Sequence, residues 1–180
     1  MPAGEGVDIV DDQDVVIGAA TIGDCLEKGL LHRAVAVLVV RSNGELLLQQ
    51  RSLRDAWHPG LWTLSSTGHV KAGEAYDEAA ARELKEELGI SARLVRLWKR
   101  LLPPILSGGL TEREWVTLYV TRTETPCSID RGEVEGVKEV AAHQLRRMFN
   151  DGSMTPDAVI LLTEYLEHQE EAGSRFLTDL

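Results

Sequence analysis

Residues 68–90 restrict what this chain can become more than any other stretch. They read Gly68-His-Val-Lys-Ala-Gly-Glu74-Ala-Tyr-Asp-Glu-Ala-Ala-Ala-Arg82-Glu83-Leu84-Lys-Glu86-Glu87-Leu-Gly89-Ile90. Ala79, Ala80, Ala81 and Leu84 are strong helix formers and Gly89 stands where a helix stop belongs, so a helix is predicted over 74–88. Ala80, Leu84 and Leu88 recur every four residues, a stripe that can pack on a sheet. Glu83, Glu86 and Glu87 share a different face, with Cβ atoms roughly 5–6 Å apart, where like charges cost a few tenths of a kcal/mol per pair. A hard divalent cation relieves that repulsion. Oxygen ligands at this spacing suit Mg²⁺ or Mn²⁺, which keep some waters and take phosphate oxygens at the remaining positions. Arg82 can pair with Glu78 or Glu86 on the helix, or reach back to Glu74. The Glu74–Arg82 pairing is expected to fix the loop against the helix from behind the metal.

The rest of the composition narrows the function classes. The 180 residues are most simply one domain, 1–180, large enough to bury a core. A net charge of −10 disfavours a nucleic-acid-binding module, whereas bound cations let an acidic protein accept a small polyanion. Cys25 and Cys127 make neither a disulfide framework nor a zinc site and read as reduced thiols. The start of the chain lacks a basic segment followed by an apolar run, and the apolar run at 34–40 is too short to span a bilayer. No membrane association and a cytoplasmic location are therefore expected.

Along the chain, residues 7–20 read as a β-hairpin around Asp11-Asp12-Gln13-Asp14, and 21–28 as a short helix closed by Gly29. Strands at 34–40 and 45–50 flank Asn43-Gly44, a strong hairpin signal. Residues 61–66 form another strand candidate. Residues 92–102 and 115–123 are strands, joined by a loop marked by Pro103-Pro104 and Gly108-Gly109. A strand at 134–140 and a helix at 142–149 follow. Thr155-Pro156 opens a C-terminal helix at 156–171, with Thr as N-cap and Pro in first position. Hairpins mixed with helices indicate an α/β sandwich with a mixed sheet.

The pattern at 68–90 resembles the Nudix box: Gly, five residues, Glu, seven residues, Arg-Glu, an aliphatic, any residue, Glu-Glu, any residue, Gly and an aliphatic. Every specified position is met. The resemblance implies a Nudix-type α/β/α sandwich and a divalent-metal-dependent pyrophosphohydrolase that cleaves a nucleoside diphosphate derivative or similar small metabolite. By that carry-over Glu83, Glu86 and Glu87 are metal ligands, with Arg82 and Glu74 completing the catalytic set. Gly68 lets the backbone approach the metal and substrate, and the Thr67 carbonyl is an extra ligand. The resemblance also implies one acidic ligand outside the box, for which Glu114 is preferred over Glu112, Glu133 and Glu135. Arg51 is assigned to phosphate binding, as is Arg54 less specifically, and His69 to substrate or metal contact. A homodimer is compatible with the family.

A second likeness reaches outside the box. Leu31-His32-Arg33-Ala34, Gly44-Glu-Leu-Leu-Leu-Gln-Gln-Arg51 and Pro59-Gly-Leu-Trp62-Thr63 are similar to isopentenyl diphosphate isomerase, a Nudix-fold enzyme. His32, His69, Glu112 and Glu114 match parts of its His/Glu metal site, while Cys25 falls where another ligand His would sit. Thr67 stands where the bacterial isomerase pattern has its catalytic Cys, and a hydroxyl is far less acidic than a thiol. The hydrolase reading is therefore preferred. The alternatives are isopentenyl diphosphate delta-isomerase activity and a non-catalytic Nudix-fold ligand-binding domain.

Overall fold

The computed structural model describes Gly4 and residues 6–171. The N-terminal hairpin pairs β1 (Gly6–Val10) with β2 (Val16–Thr21) in antiparallel register. Thr21 then caps α1 (Ile22–Lys28) by accepting from the Asp24 amide, and Gly29 ends it in the left-handed conformation. The central strand is β3 (His32–Val40), turned back at Arg41–Gly44 into β4 (Leu46–Arg51). These two pair only at Val39–Leu47 and Val40–Leu46 before they part.

The strand predicted at 61–66 is instead two pieces, β5 (Trp62–Thr63) on β4 and β6 (Ser66–His69) on β3. The break has a physical cause. Ser65 sits in the fork between the parting strands, its Oγ accepting from the Val39 amide at 2.7 Å and donating to the Leu47 carbonyl at 2.5 Å. After β6 comes α2 (Tyr76–Leu88), so Glu74 belongs to the loop before the helix rather than to its first turn.

β7 (Val95–Leu101) and β10 (Glu114–Arg122) follow, and β10 runs parallel to β3. The expected loop between them folds into a small hairpin, β8 (Ile105–Ser107) and β9 (Leu110–Glu112), turned by Gly108 and Gly109 at positive φ. β11 (Val134–Val140) pairs with β4, and α3 (Ala142–Asn150) and α4 (Pro156–Glu171) close the described chain. Among the described residues the main sheet has nine strands and is mixed.

Alternation along β3 splits the core. Val35, Val37 and Val39 pack under Ala80, Leu84 and Leu88 of α2. Ala34, Ala36, Leu38 and Val40 meet Leu145, Leu161, Leu162 and Tyr165 from α3 and α4. This is the α/β/α sandwich the sequence implies.

The N-terminal ribbon grips the loop ahead of α2. The Ala72 amide donates to the Gly6 carbonyl and the Gly73 amide to Asp8 Oδ2. Asp14, held at φ 61°, accepts from Arg33 Nε and Lys99 Nζ at 2.6 Å each and from the Tyr76 hydroxyl at 3.1 Å. Burial alone would raise the Asp14 carboxyl, but Lys99 and Arg33 outweigh it and hold it below 3.8. Its contribution is therefore present above that pH and is lost as the pH falls through the lowered value. Asp14→Asn is expected to cost about 2 kcal/mol, a fall in Tm of roughly 4–8 °C near neutral pH. An unchanged melting curve would show that the ribbon is held by its backbone bonds alone.

Candidate active site

β6 organises the site by strand alternation. Its register against β3 sets Gly68 opposite Val35 and His69 opposite Ala34. Ser66 and Gly68 therefore face α2, while Thr67 and His69 face the opposite side of the sheet.

On the α2 side, packing of the Ala80–Leu84–Leu88 stripe aims Glu83 and Glu87 back at β6. A Cβ at position 68 would lie 2.1 Å from Cδ of Glu83, so the glycine admits that carboxylate. Glu87 Oε2 accepts from Gln49 Nε2 at 3.0 Å and from the Thr67 amide at 3.1 Å. The third acid is Glu133: one oxygen each from Glu83, Glu87 and Glu133 lie within 4.8 Å of one another. Glu133 arrives on a segment tied to the C-terminal end of α2, where the Ser128 and Asp130 amides donate to the Leu88 and Glu87 carbonyls. Glu135 is exposed on β11.

Burial pushes Glu83 up to about 7 and Glu87 up to about 8, and neighbouring carboxylates add to both shifts. Two buried acids that cannot comfortably ionise together, beside a third, form an oxygen-rich set suited to a hard divalent cation. Arg82 braces them. It clasps Glu74 with two bonds of 2.8 Å, reaches the His69 carbonyl at 3.1 Å and holds Glu83 Oε1 at 2.6 Å. Glu78 instead accepts from the Ala75 amide. Glu86 lies outside the convergent trio, exposed and 3.1 Å from Arg82.

The preferred outside acid, Glu114, does not join this trio. It opens β10 opposite His32 of β3, on the far face of the sheet. There Glu114 Oε1 is 3.3 Å from Nε2 of both His32 and His69, whose rings are 5.1 Å apart. These three donors also lie within 4.8 Å of one another. His32 Nδ1 is within 3.0 Å of the Leu30 carbonyl, which leaves Nε2 to face the carboxylate. Burial opposes ionisation of Glu114, yet the two histidines outweigh it and hold this carboxylate well below its usual range. Burial also opposes the His32 cation, but Cys25 and Glu114 raise it to about 10. Burial keeps His69 below 6.5. A His₂Glu set of this kind fits a borderline transition ion such as Zn²⁺. Glu112, raised by burial and by Glu114, accepts from Trp57 Nε1 at 3.0 Å.

Each cluster opens on its own recess. One of about 460 Å³ is lined by Trp57, His69, Glu112, Glu114 and Asp157, and one of about 270 Å³ by Gln49, Asp55, Glu87 and Glu133. Arg51 and Thr67 line both. Arg51 is oriented by the Trp57 carbonyl at 2.9 Å and by Asp55 at 2.6 Å. Asp157 carries no motif signal, and Gln49 lies in the isomerase-like segment without an assigned role; only the folded chain brings them and Trp57 to the site.

A family model for the NUDIX domain matches residues 30–160, and the chain belongs to that family. Within it the chain falls in the branch similar to isopentenyl diphosphate isomerases. It is 36% identical over 143 residues to isopentenyl-diphosphate Delta-isomerase 2 of Photorhabdus laumondii, covering 79% of this chain and 81% of that protein. It is 32% identical over 162 residues to an uncharacterized Nudix hydrolase of Pseudomonas aeruginosa, covering 88% and 91%. Among solved structures, DR0079 of Deinococcus radiodurans superposes with a TM-score of 0.76 at 22% identity, covering 89% of this chain and 98% of that one. The NUDIX domain of Shewanella oneidensis NrtR, complexed with ADP ribose, gives 0.61 at 19%, covering 77% and 86%. Both likenesses concern the fold. Among the described residues no helix is long and apolar enough to cross a membrane.

Proposed function

We propose that this chain, acting as one catalytic domain, hydrolyses a phosphoanhydride bond in a small diphosphate-containing metabolite with Mg²⁺ or Mn²⁺. The observation that carries this reading is the convergence of buried Glu83 and Glu87 with half-buried Glu133 beside Gly68. When bound there, a divalent ion supplies charge neutralisation of the diphosphate and a more acidic water. Glu83, Glu87 and Glu133 hold it, and Arg82 keeps Glu83 and the loop carrying Glu74 in place. The Arg51 guanidinium, facing both recesses, binds a phosphate oxygen and orients the diphosphate across Thr67. Gln49 and the Thr67 amide fix the Glu87 carboxylate so that it needs no rearrangement during the reaction.

The test is a panel of diphosphate-linked compounds with Mg²⁺ or Mn²⁺ in ¹⁸O-enriched water, read by phosphorus NMR. Label is expected in one product phosphate, at a rate abolished by chelator. Absence of turnover across the panel would remove the hydrolase assignment.

A second reading is favoured by the His32–His69–Glu114 cluster and by relatives named as isomerases. Allylic isomerisation of isopentenyl diphosphate would use the larger recess. Thr67 lines it where the bacterial pattern has Cys, so no solvent deuterium is expected to enter the carbon skeleton. Deuterium incorporation with the diphosphate intact would establish the isomerase instead.

A further inference from the structure

Hydrolysis at the Glu83–Glu87–Glu133 cluster leaves most of the larger recess without a task. Its floor is apolar, made by buried Ala34, Ala36, Val116 and Leu161. A hydrocarbon would suit that floor, but the wall above it is polar. Part of the wall is already engaged: Trp57 Nε1 donates to Glu112 at 3.0 Å, and Arg51 is held by Asp55 and the Trp57 carbonyl. His58 is different. It stands at φ 52°, and the other non-glycine residue at positive φ among the described residues is Asp14, which ties down the N-terminal ribbon. An L side chain takes that conformation only where its surroundings impose it. Here the Gly60 amide donates to the Arg51 carbonyl at 3.2 Å, the Leu61 amide to the His58 carbonyl at 3.3 Å and Gln50 Nε2 to the Gly60 carbonyl at 2.9 Å. The ring so held lies edge-on to Trp57 with centroids 4.7 Å apart. Its Nε2 is shut from solvent and has no hydrogen-bond partner among the described residues. Such atoms are rare in folded proteins, and one on the wall of a recess points to a ligand group. Burial, helped by Arg51, keeps His58 below 6.5 against the pull of Asp157, so the ring is neutral at pH 7. Half-buried Asp157 enters the same recess from the first turn of α4.

We propose that His58 and Asp157 select the group the substrate carries beyond its diphosphate, and that this group bears hydroxyls instead of being a hydrocarbon. The inference rests on the hydrolase reading, in which Arg51 sets the diphosphate across Thr67 and so directs the rest of the substrate into this recess. A hydroxyl donates to an Asp157 oxygen, and a hydroxyl meets Nε2 of a neutral imidazole as donor or acceptor according to the tautomer. The carbon side of the same chain packs on the alanine floor. A hydrocarbon would cover both polar groups and leave them without water or a partner, which is how polar sites discriminate strongly. An ammonium group would find Asp157, but it meets the Arg51 guanidinium on the same wall and has no lone pair to offer an Nε2 donor.

The test compares ribityl and pentyl chains on the same diphosphate, so that only the hydroxyls differ. Methylene-bridged, non-hydrolysable analogues of both are titrated calorimetrically against the full chain with Mn²⁺, and the hydrolysable pair is followed by phosphate release. The ribityl compound is expected to bind and to turn over at least about tenfold better. His58→Phe keeps a ring against Trp57 but lacks Nε2. It and Asp157→Leu should each lower that ratio by about tenfold, chiefly through a higher KM for the ribityl compound. Asp157→Asn keeps an acceptor and should hold much of the ratio, and it serves where Asp157→Leu disturbs the start of α4. Equal affinity for the two analogues, or binding of neither, overturns the proposal. So does a preference untouched by both His58→Phe and Asp157→Leu, or tighter binding of an aminopentyl analogue than of the ribityl one. The binding arm separates this inference from the reading beneath it. Preference without turnover removes the hydrolase reading alone, and turnover without preference removes the hydroxyl assignment alone.

Discussion

Glu87→Gln is expected to lower hydrolysis by more than about 100-fold while making the metal-free protein more stable at pH 8. Groups one step behind a metal ligand already cost about 10–100-fold when removed, so loss of a ligand should exceed that. The stability half follows from the raised acid. Burial lifts Glu87 to about 8 in the folded chain against 4.5 when unfolded. Between those values the unfolded state releases its proton while the folded state keeps it, so metal-free stability falls as the pH rises from 4.5 towards 8. The size is on the order of 2–4 kcal/mol. Glutamine keeps an oxygen for the Gln49 and Thr67 donors and has no proton to lose. Melting at pH 5 and pH 8, with and without Mn²⁺, reads all of this. The wild type should melt lower at pH 8 and recover with Mn²⁺. The variant should melt higher than the wild type at pH 8 and respond little to the ion. Equal pH slopes for the two proteins would show that Glu87 is not the strained acid, whatever happens to turnover.

That strain was legible in sequence only in part. The i, i+3, i+4 spacing of Glu83, Glu86 and Glu87 puts three carboxylates on one helix face, and the apolar stripe on another face implies a sheet beneath. It does not say how far α2 rolls on that sheet. The roll brings Glu83 and Glu87 under β6 and leaves Glu86 in solvent beside Arg82. Local signals of stop and turn are kept: Gly29, Asn43-Gly44 and Pro156 mark boundaries of the folded chain, because each acts through its own neighbouring backbone, whereas the Thr155 hydroxyl makes no cap bond and Thr21 caps α1 instead of opening it. Pairing between distant strands is another matter. Nothing local to 61–66 announces that Ser65 will bridge Val39 and Leu47, so the sequence predicts one strand where the fold has β5 and β6. The extension of the strand beyond 66 has a larger consequence. Once 66–69 is a strand, period-two alternation alone separates Gly68 from Thr67 and His69. The parallel register of β10 on β3 then delivers Glu114 to the histidine face. Choosing Glu133 over Glu114 for the other face needs the 128–130 segment docked on the end of α2, a contact between parts of the chain some forty residues apart.

Gly68 offers the sharpest separation between what sequence and structure say of one residue. The sequence reading gives it the task of letting backbone approach the metal and substrate; the structure gives it the task of admitting Glu83. Gly68→Ala distinguishes them. The new Cβ would fall 2.1 Å from Cδ and 2.2 Å from Oε1 of Glu83, closer than any non-bonded contact allows. The glutamate must swing away, since the strand at 68 is locked to β3 through the Val35 register. Displacement pulls the carboxylate from Glu87 and Glu133 and breaks its 2.6 Å bond to Arg82. Turnover should then fall by more than about 100-fold, as for Glu83→Ala, with a stability cost of about 1–2 kcal/mol from overpacking. The double variant decides the matter. With Glu83 shortened to Ala, the space opposite residue 68 is vacated, so adding Gly68→Ala should cost almost no further stability or turnover. Additive losses, with Gly68→Ala as damaging in the Glu83→Ala background as alone, would return Gly68 to a role of its own against the metal or the substrate.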